Sequence, residues 1–375
     1  MLSAKEVKLP KEIEDIETEE FEDIKTPYDV SKIDILFEPE YVDRLVKRYD
    51  EKTLNLNPDF QRNEVWKNRQ RSRLIESILI KIPIPSFYID ARNESNWIVI
   101  DGLQRLSSII RYIKDEYVLE DLEFLKDLEG KKFSELERTY QRRIEDFKLT
   151  LYLIRPNTPE EIALNIFTRI NTLGEPLSPQ EIRHAIYNGK STQLLKELSE
   201  TSEFKMLVKP TEAMTRRMNE RELILRLLAF KLTNYTEYKK SNNLAMFLAN
   251  TMKNINNLED KEIKDLKSFF TDSMKKSALV FGDFAFRKVK NEEKTIKRPI
   301  NKSLFETFGY FLPNYDFEIL EKVKDSITNN LRAALTNDYE FENSISRATN
   351  NIDHVQYRFN TVLEIIESAI KETNI

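Results

Sequence analysis

Asp101, Gly102, Gln104 and Arg105 fall within five residues of one another, inside the stretch WIVIDGLQRLSS over 97–108. A carboxylate, a guanidinium and a glycine so close together suit a phosphate ester: Arg105 for charge-assisted donation, Asp101 for Mg²⁺ or an attacking water, and Gly102 for close backbone approach. The surrounding pattern supplies the geometry. Ile98, Val99 and Ile100 form a short β-branched run that reads as a buried strand, whereas Leu103 to Ile113 repeats its apolar residues at helical spacing. A helix that opens at Gly102 presents unpaired backbone N–H groups and the positive end of its dipole beside Gln104 and Arg105. The competing reading is an ordinary strand-to-helix turn with a solvated first-turn arginine.

A second set of polar residues lies upstream, in NPDFQRNEVW over 57–66. Phe60 and Trp66 are expected core anchors. Gln61 and Arg62 sit between them in a loop, as a satisfied surface pair or as part of a site. The loop leads into an amphipathic helix with its stripe at Leu74, Ile75, Ile78 and Leu79, and Pro83 and Pro85 stop that helix before a strand.

These blocks, followed by IFTRINTLGEPLS over 166–178, resemble in content and order the N-terminal domain of GmrSD-type modification-dependent restriction enzymes, which has a ParB/sulfiredoxin-like fold. NEREL (219–223) and NKSLF (301–305) resemble the helical continuation found in many members. The resemblance implies an α+β chain with a small mixed lobe followed by helices. It also implies a nucleotide site in which the family's Gln-Arg pair falls on Gln61 and Arg62. The family's Asp-Gly-Gln-Gln-Arg motif, implicated in nucleotide binding and hydrolysis, falls on Asp101, Gly102, Leu103, Gln104 and Arg105. Leu103 departs from that motif; backbone donors survive the change, but whatever the first Gln contributes to hydrolysis does not. Asp101, Gln104 and Arg105 are thus the expected catalytic residues. Gln61, Arg62, Gly102, Gln104 and Arg105 are the expected nucleotide contacts, with Arg169 and Asn171 in support. In relatives this domain senses DNA and uses nucleotide to license a nuclease, usually a C-terminal HNH-like domain. The implied cofactor is therefore an NTP, with Mg²⁺, and the implied partner is DNA.

An HNH site needs a His base and metal ligands, often beside a Cys-rich zinc site. The sequence has no Cys and two histidines, His184 and His354, neither with a second His nearby. Both read as surface or hydrogen-bonded helical histidines. No nuclease site and no dedicated protein metal site is expected, so a separate nuclease subunit is a candidate partner. Thiol chemistry and disulfides are excluded.

At 375 residues the chain suits two domains, and with no long apolar run or signal-like leader it is expected to be cytoplasmic, with no membrane contact. The net charge of −5 is uneven. Residues 1–40 hold 13 acidic and 5 basic residues, and the remainder carries a small positive excess. The acidic stretch from Glu12 to Asp23 reads as a solvated tail, or as a DNA-mimicking flap. Arg62, Lys67, Arg69, Arg71 and Arg73 form the basic cluster expected to meet DNA, the alternative being a solvated face. Arg138, Arg142 and Arg143, then Arg216, Arg217 and Arg221, and the 287–298 stretch are further basic groups.

The expected organisation is a leader over 1–30, a lobe over 31–156 and a helical domain over 157–375. Strands are expected at Ile33 to Phe37, Phe87 to Asp90, Ile98 to Asp101 and Phe147 to Ile154. Thr158 and Ser178 read as helix N-caps, each with Pro at the next position and Glu three residues on. Later helices are read at 220–233, 244–255, 262–281, 302–312, 317–335 and 340–373, the last broken near Asn350 and Asn351, with 281–299 as a mobile loop. Two functional classes follow: a nucleotide-dependent DNA sensor in restriction or phage defence, possible as an NTPase, and a ParB-like DNA-binding or nicking module, or regulatory scaffold, without nucleotide turnover.

Overall fold

The computed structural model describes residues 30–56, 66–170, 178–238, 244–289 and 298–373. They divide into two compact units, 30–186 and 187–373. The first boundary thus falls at 186/187, later than the sequence division near 156.

The first unit contains β1 (Ile35–Tyr41), α1 (Val42–Asp50), β2 (Leu54–Asn55), α2 (Asn68–Leu79), β3 (Phe87–Asp90), β4 (Trp97–Asp101), α3 (Leu103–Ile113), α4 (Arg138–Glu145), β5 (Lys148–Ile154), α5 (Glu160–Ile170) and α6 (Pro179–Ile186). The strands form one mixed sheet in the order β1-β5-β3-β4-β2. The β1–β5 and β3–β4 pairs are antiparallel, and the β3–β5 and β2–β4 pairs are parallel.

Period-two alternation decides which face of the sheet is dry. Leu149, Leu151 and Leu153 on β5, Phe87 and Ile89 on β3 and Val99 on β4 are buried in a core completed by the stripes of α1, α2 and α3. Trp66 packs at its margin, as expected of an anchor. On the other face Ile98, Ile100 and Ile154 are buried as well, while Tyr88, Thr150 and Tyr152 are only half-buried.

Three local expectations meet the structure here, the first with a correction. The first strand runs to Tyr41, beyond the expected end at Phe37, because Pro39 is tolerated on an edge strand that pairs with β5 along its whole length. The Thr158 hydroxyl accepts from the Asp34 N–H at 2.9 Å and donates to the Asp34 carbonyl at 3.0 Å, so it ties α5 to the chain leading into β1. Ser178 does behave as read: its hydroxyl accepts from the Glu181 N–H at 3.1 Å, and the Glu181 carboxylate accepts from the Ser178 N–H at 2.6 Å.

The second unit is helical: α7 (Lys190–Ser199), α8 (Ser202–Val208), α9 (Glu212–Arg216), α10 (Asn219–Leu232), α11 (Leu244–Asn257), α12 (Asp260–Phe281), α13 (Lys302–Phe311), α14 (Phe317–Asn337), α15 (Tyr339–Ser344) and α16 (Ile352–Glu372). The expected break in the last pattern is present, and the Asn351 side chain caps α16 by accepting from the Asp353 N–H. The chain is therefore α+β, a small mixed α/β unit followed by helices.

The two downstream sequence blocks meet inside this unit. Glu222 binds Lys302 at 2.9 Å, and Glu306 sits fully buried between Arg226, at 2.9 Å, and Arg358. Arg358 also donates to the Thr349 carbonyl at 2.7 Å, so α10, α13, α16 and the turn before α16 share one buried charge network. Of the expected mobile loop, residues 281–289 and 298–299 are described, and Arg287 bridges to Ile300 with its guanidinium on the carbonyls of Ala285, Asp283 and Arg298. That arginine is a structural tie. Residues 290–297 lie outside the described residues.

Candidate functional site

The β4–α3 junction forms as the sequence pattern requires. Asp101 ends the strand, Gly102 takes the left-handed conformation with φ +89°, and Leu103 starts the helix. Glycine is obligatory here for two reasons. A side chain is strained at that φ, and a Cβ would stand 2.4 Å from Cδ1 of Phe87. The Gly102 carbonyl accepts the first helical bond, from the Leu106 N–H at 2.8 Å, while glycine offers no side chain to cap the N–H groups of the opening turn.

Arg105 is four residues beyond Asp101, one helical turn, and its Nη2 donates to Asp101 Oδ2 at 2.8 Å. The same guanidinium donates to the carbonyls of Ser86, at 3.1 Å, and Pro85, and lies 4.6 Å from the centre of the Phe87 ring. Its side chain is only 13 % exposed. Burial lowers its pKa and the Asp101 carboxylate opposes the shift, and an arginine so placed keeps its charge. Arg105 therefore fastens the β3 approach to the α3 N-terminus and holds Asp101 in place. Removing it would disturb the local fold as well as any ligand contact, and the competing reading of a solvated first-turn arginine does not hold.

Asp101 keeps more than a third of its side chain exposed. The β3–β4 register slips between Tyr88 and Ile89, so that Asp101 stands opposite Tyr88 while Val99 pairs Ile89 in the core. Such an irregularity re-aims a side chain. Burial raises the Tyr88 pKa, and the neighbouring Tyr152 ring and Asp101 carboxylate push it the same way. Gln104 is half-buried in the first turn of α3.

Gln61, Arg62 and Asn171 lie outside the described residues, as does the side chain of Arg169. In the expected DNA-binding cluster, Lys67 and Arg69 are exposed and Arg73 is half-buried. Arg69 pairs with Asp121 at 2.5 Å and Arg73 with Glu123 at 3.8 Å. Arg71 is turned inward, 7 % exposed, near the Tyr117 ring, which withdraws it from the basic surface. His184 is buried on α6, and His354 Nδ1 donates to the Arg347 carbonyl at 2.9 Å.

Residues outside these motifs support the junction. Phe87 forms the floor on which Gly102 and Arg105 rest, and the Pro85 and Ser86 carbonyls receive the guanidinium. The signal was present in PIPSFY: two prolines hold an extended path with carbonyls free to accept. On α6, Gln180 and Arg183 are buried, with Arg183 Nε donating to Gln180 Oε1 at 2.8 Å, and α6 contacts β4. A polar pair buried beside the strand that carries Asp101 had no counterpart in the periodicity.

Among the described residues no group of three or more His, Cys, Asp or Glu is placed to hold a metal ion by itself, and no helix is long and apolar enough to cross a membrane. No curated protein and no solved structure matches the chain. A family model does: that of the GmrSD restriction endonuclease N-terminal domain, over residues 42–188. The match begins at α1 and extends just past α6, and so takes in the whole Asp101–Arg105 junction. Over residues 42–188 the chain is thus similar to the GmrSD N-terminal domain family.

Proposed function

We propose that the chain is a nucleotide-binding, DNA-sensing component of a restriction or phage-defence system, and that the nucleotide's phosphates bind where β4 gives way to α3. The observation that carries this reading is the left-handed, side-chain-free entry into α3 at Gly102, with Asp101 held half-open beside it by Arg105. An NTP with Mg²⁺ fits the donor set. First-turn N–H groups and the helix dipole favour the phosphates, Gln104 adds an amide, and the exposed part of the Asp101 carboxylate offers Mg²⁺ a partner. A single carboxylate without a ligand cage suits an ion that arrives with the phosphates and keeps its waters. The bound Mg²⁺ would neutralise phosphate charge. Arg105 acts chiefly as a positioning residue, and Gln61, Arg62, Arg169 and Asn171 are assigned to the same ligand.

Binding is better supported than turnover. Leu103 offers no side-chain hydrogen bond, and the Arg105 fork is already occupied by Asp101 and two carbonyls. This favours a nucleotide-gated switch over a rapid NTPase, and it keeps in view a ParB-like DNA-binding or nicking module, or a scaffold, without turnover. We read the 30–186 unit as ParB/sulfiredoxin-like from its similarity to the GmrSD N-terminal domain. DNA contact is assigned to Arg62, Lys67, Arg69 and Arg73, with the pairing of Arg69 and Arg73 to acids limiting its strength. Cleavage is assigned to a partner nuclease, because His184 is buried and His354 holds a carbonyl.

Equilibrium dialysis with radiolabelled ATP, GTP, CTP and UTP, each with and without Mg²⁺, tests the reading. At least one should bind, and Asp101→Asn should abolish the Mg²⁺ enhancement while leaving Mg²⁺-free binding intact. Binding of none by the folded protein would refute it.

A further inference from the structure

The face of the sheet opposite the leucine-lined core carries a row of aromatic rings that the phosphate site does not use. Phe37 on β1 is in register with Tyr152 on β5, Tyr152 with Tyr88 on β3, and Tyr88 with Asp101 on β4. The Tyr88 and Tyr152 rings are stacked, with centroids 5.0 Å apart and planes at 16°, and Phe37 follows at 5.7 Å. Phe37 is 57 % exposed and both tyrosines are half-buried. Three rings in register on an incompletely covered sheet face form a surface for a flat, weakly hydrated molecule.

The position of the row identifies that molecule. It ends at Asp101, one residue before the Gly102 turn. Strand order puts Tyr152 on one side of Tyr88 and Asp101 on the other, so a ring laid against the Asp101 side of Tyr88 lies one strand spacing from the first turn of α3. A phosphate site and an aromatic ledge this close suit the two ends of one nucleotide. The register slip that turns Asp101 toward Tyr88 is what makes the two surfaces adjacent.

We propose that Tyr88, backed by Tyr152 and Phe37, is the stacking ledge for the base of the nucleotide. This inference rests on the phosphate-site reading given above. Every base has a π-face, so the ledge accepts all four bases and favours the larger purines. Selectivity would have to come from other groups.

The test compares two probes on the full chain with Mg²⁺: 2-aminopurine riboside triphosphate, whose fluorescence falls when its base stacks, and inorganic tripolyphosphate, which has no base. The unaltered protein should quench the first probe and bind it at least tenfold more tightly than the second. Tyr88→Leu and Tyr152→Leu should each weaken the nucleotide about tenfold, the effect typical of losing one aromatic partner, with tripolyphosphate affinity unchanged. Tyr152→Phe should retain the quench, and because the quench is read on the unaltered chain, a variant that fails to fold does not decide the matter. If both probes bind equally and without quenching, the ledge is refuted and the phosphate site stands. If neither binds, the phosphate site is refuted and the ledge with it. A quench produced by single-stranded DNA carrying 2-aminopurine, but not by the nucleotide, also refutes the proposal.

Discussion

Gly102 shows how a single position couples backbone to site. Its φ of +89° and its closeness to Phe87 leave no room for a methyl group. Gly102→Ala should therefore cost about 2 kcal/mol or more from left-handed strain and overpacking, and it should weaken nucleotide binding because the first turn of α3 would move. Chemical denaturation and nucleotide titration of the same variant check both parts. Glu220 makes a different point. It is buried on α10 with Arg221 Nε 3.6 Å away, and its Oε2 makes no hydrogen bond. Burial raises its pKa to about 7 against the opposition of backbone N–H groups and Arg221. A carboxyl whose folded pKa is raised binds more protons in the native than in the unfolded state between about 4.5 and 7. Stability from this group is thus present at low pH and falls as pH rises through that window. Glu220→Gln should flatten that decline and raise the melting temperature at pH 8, as thermal melts across pH would show.

At the scale of elements, α2 carries a carboxylate that organises the chain around it. Glu76 is 3 % exposed and accepts backbone N–H bonds from Glu123 at 2.9 Å, Phe124 at 2.7 Å and Leu125 at 2.8 Å. Burial alone would raise its pKa, but the three donors and Arg73 outweigh it and the pKa is lowered. Its contribution is present above pH 4.5 and is lost as pH falls through the depressed folded value, the opposite sign to Glu220. Glu76→Ala should cost on the order of 3 kcal/mol by stranding these donors, and amide exchange at residues 123–125 should rise ahead of the rest of the unit. Glu76 lay in plain view in LIESILI, yet only its apolar neighbours gave a periodic signal. The same limit explains what else was legible. β5, α3 and α13 could be read because apolar residues recur with period two or near 3.6. The short helices α8 and α9 were not, since each is too brief to establish a period. Asp101 to Arg105 could be located by residue type and spacing, but the inward use of Arg105 and Arg71 could not, because it depends on carbonyls and rings distant in sequence. Tyr88 and Tyr152 were visible as strand residues; that they face one another across β3 and β5 is a fact of sheet order.

Across the whole molecule, the proposed site and the buried charge network fall in different units. The unit over 30–186 holds the Asp101–Arg105 junction and the aromatic row. The unit over 187–373 holds a buried charge network, around Glu306 and between Glu222 and Lys302, that fixes helix packing. Nucleotide should consequently stabilise the chain through the first unit, and the most direct measurement is the thermal midpoint of the purified protein with ATP, GTP, CTP and UTP, each with and without Mg²⁺. At about 100 times its dissociation constant a ligand adds about 2.7 kcal/mol to the native state, which raises the midpoint of a domain this size by roughly 5–10 °C. A rise of that order with at least one nucleotide, greatly reduced in Arg105→Ala when each protein is compared with its own ligand-free midpoint, is the predicted result. No rise with any nucleotide, from protein that melts cooperatively, would contradict the account.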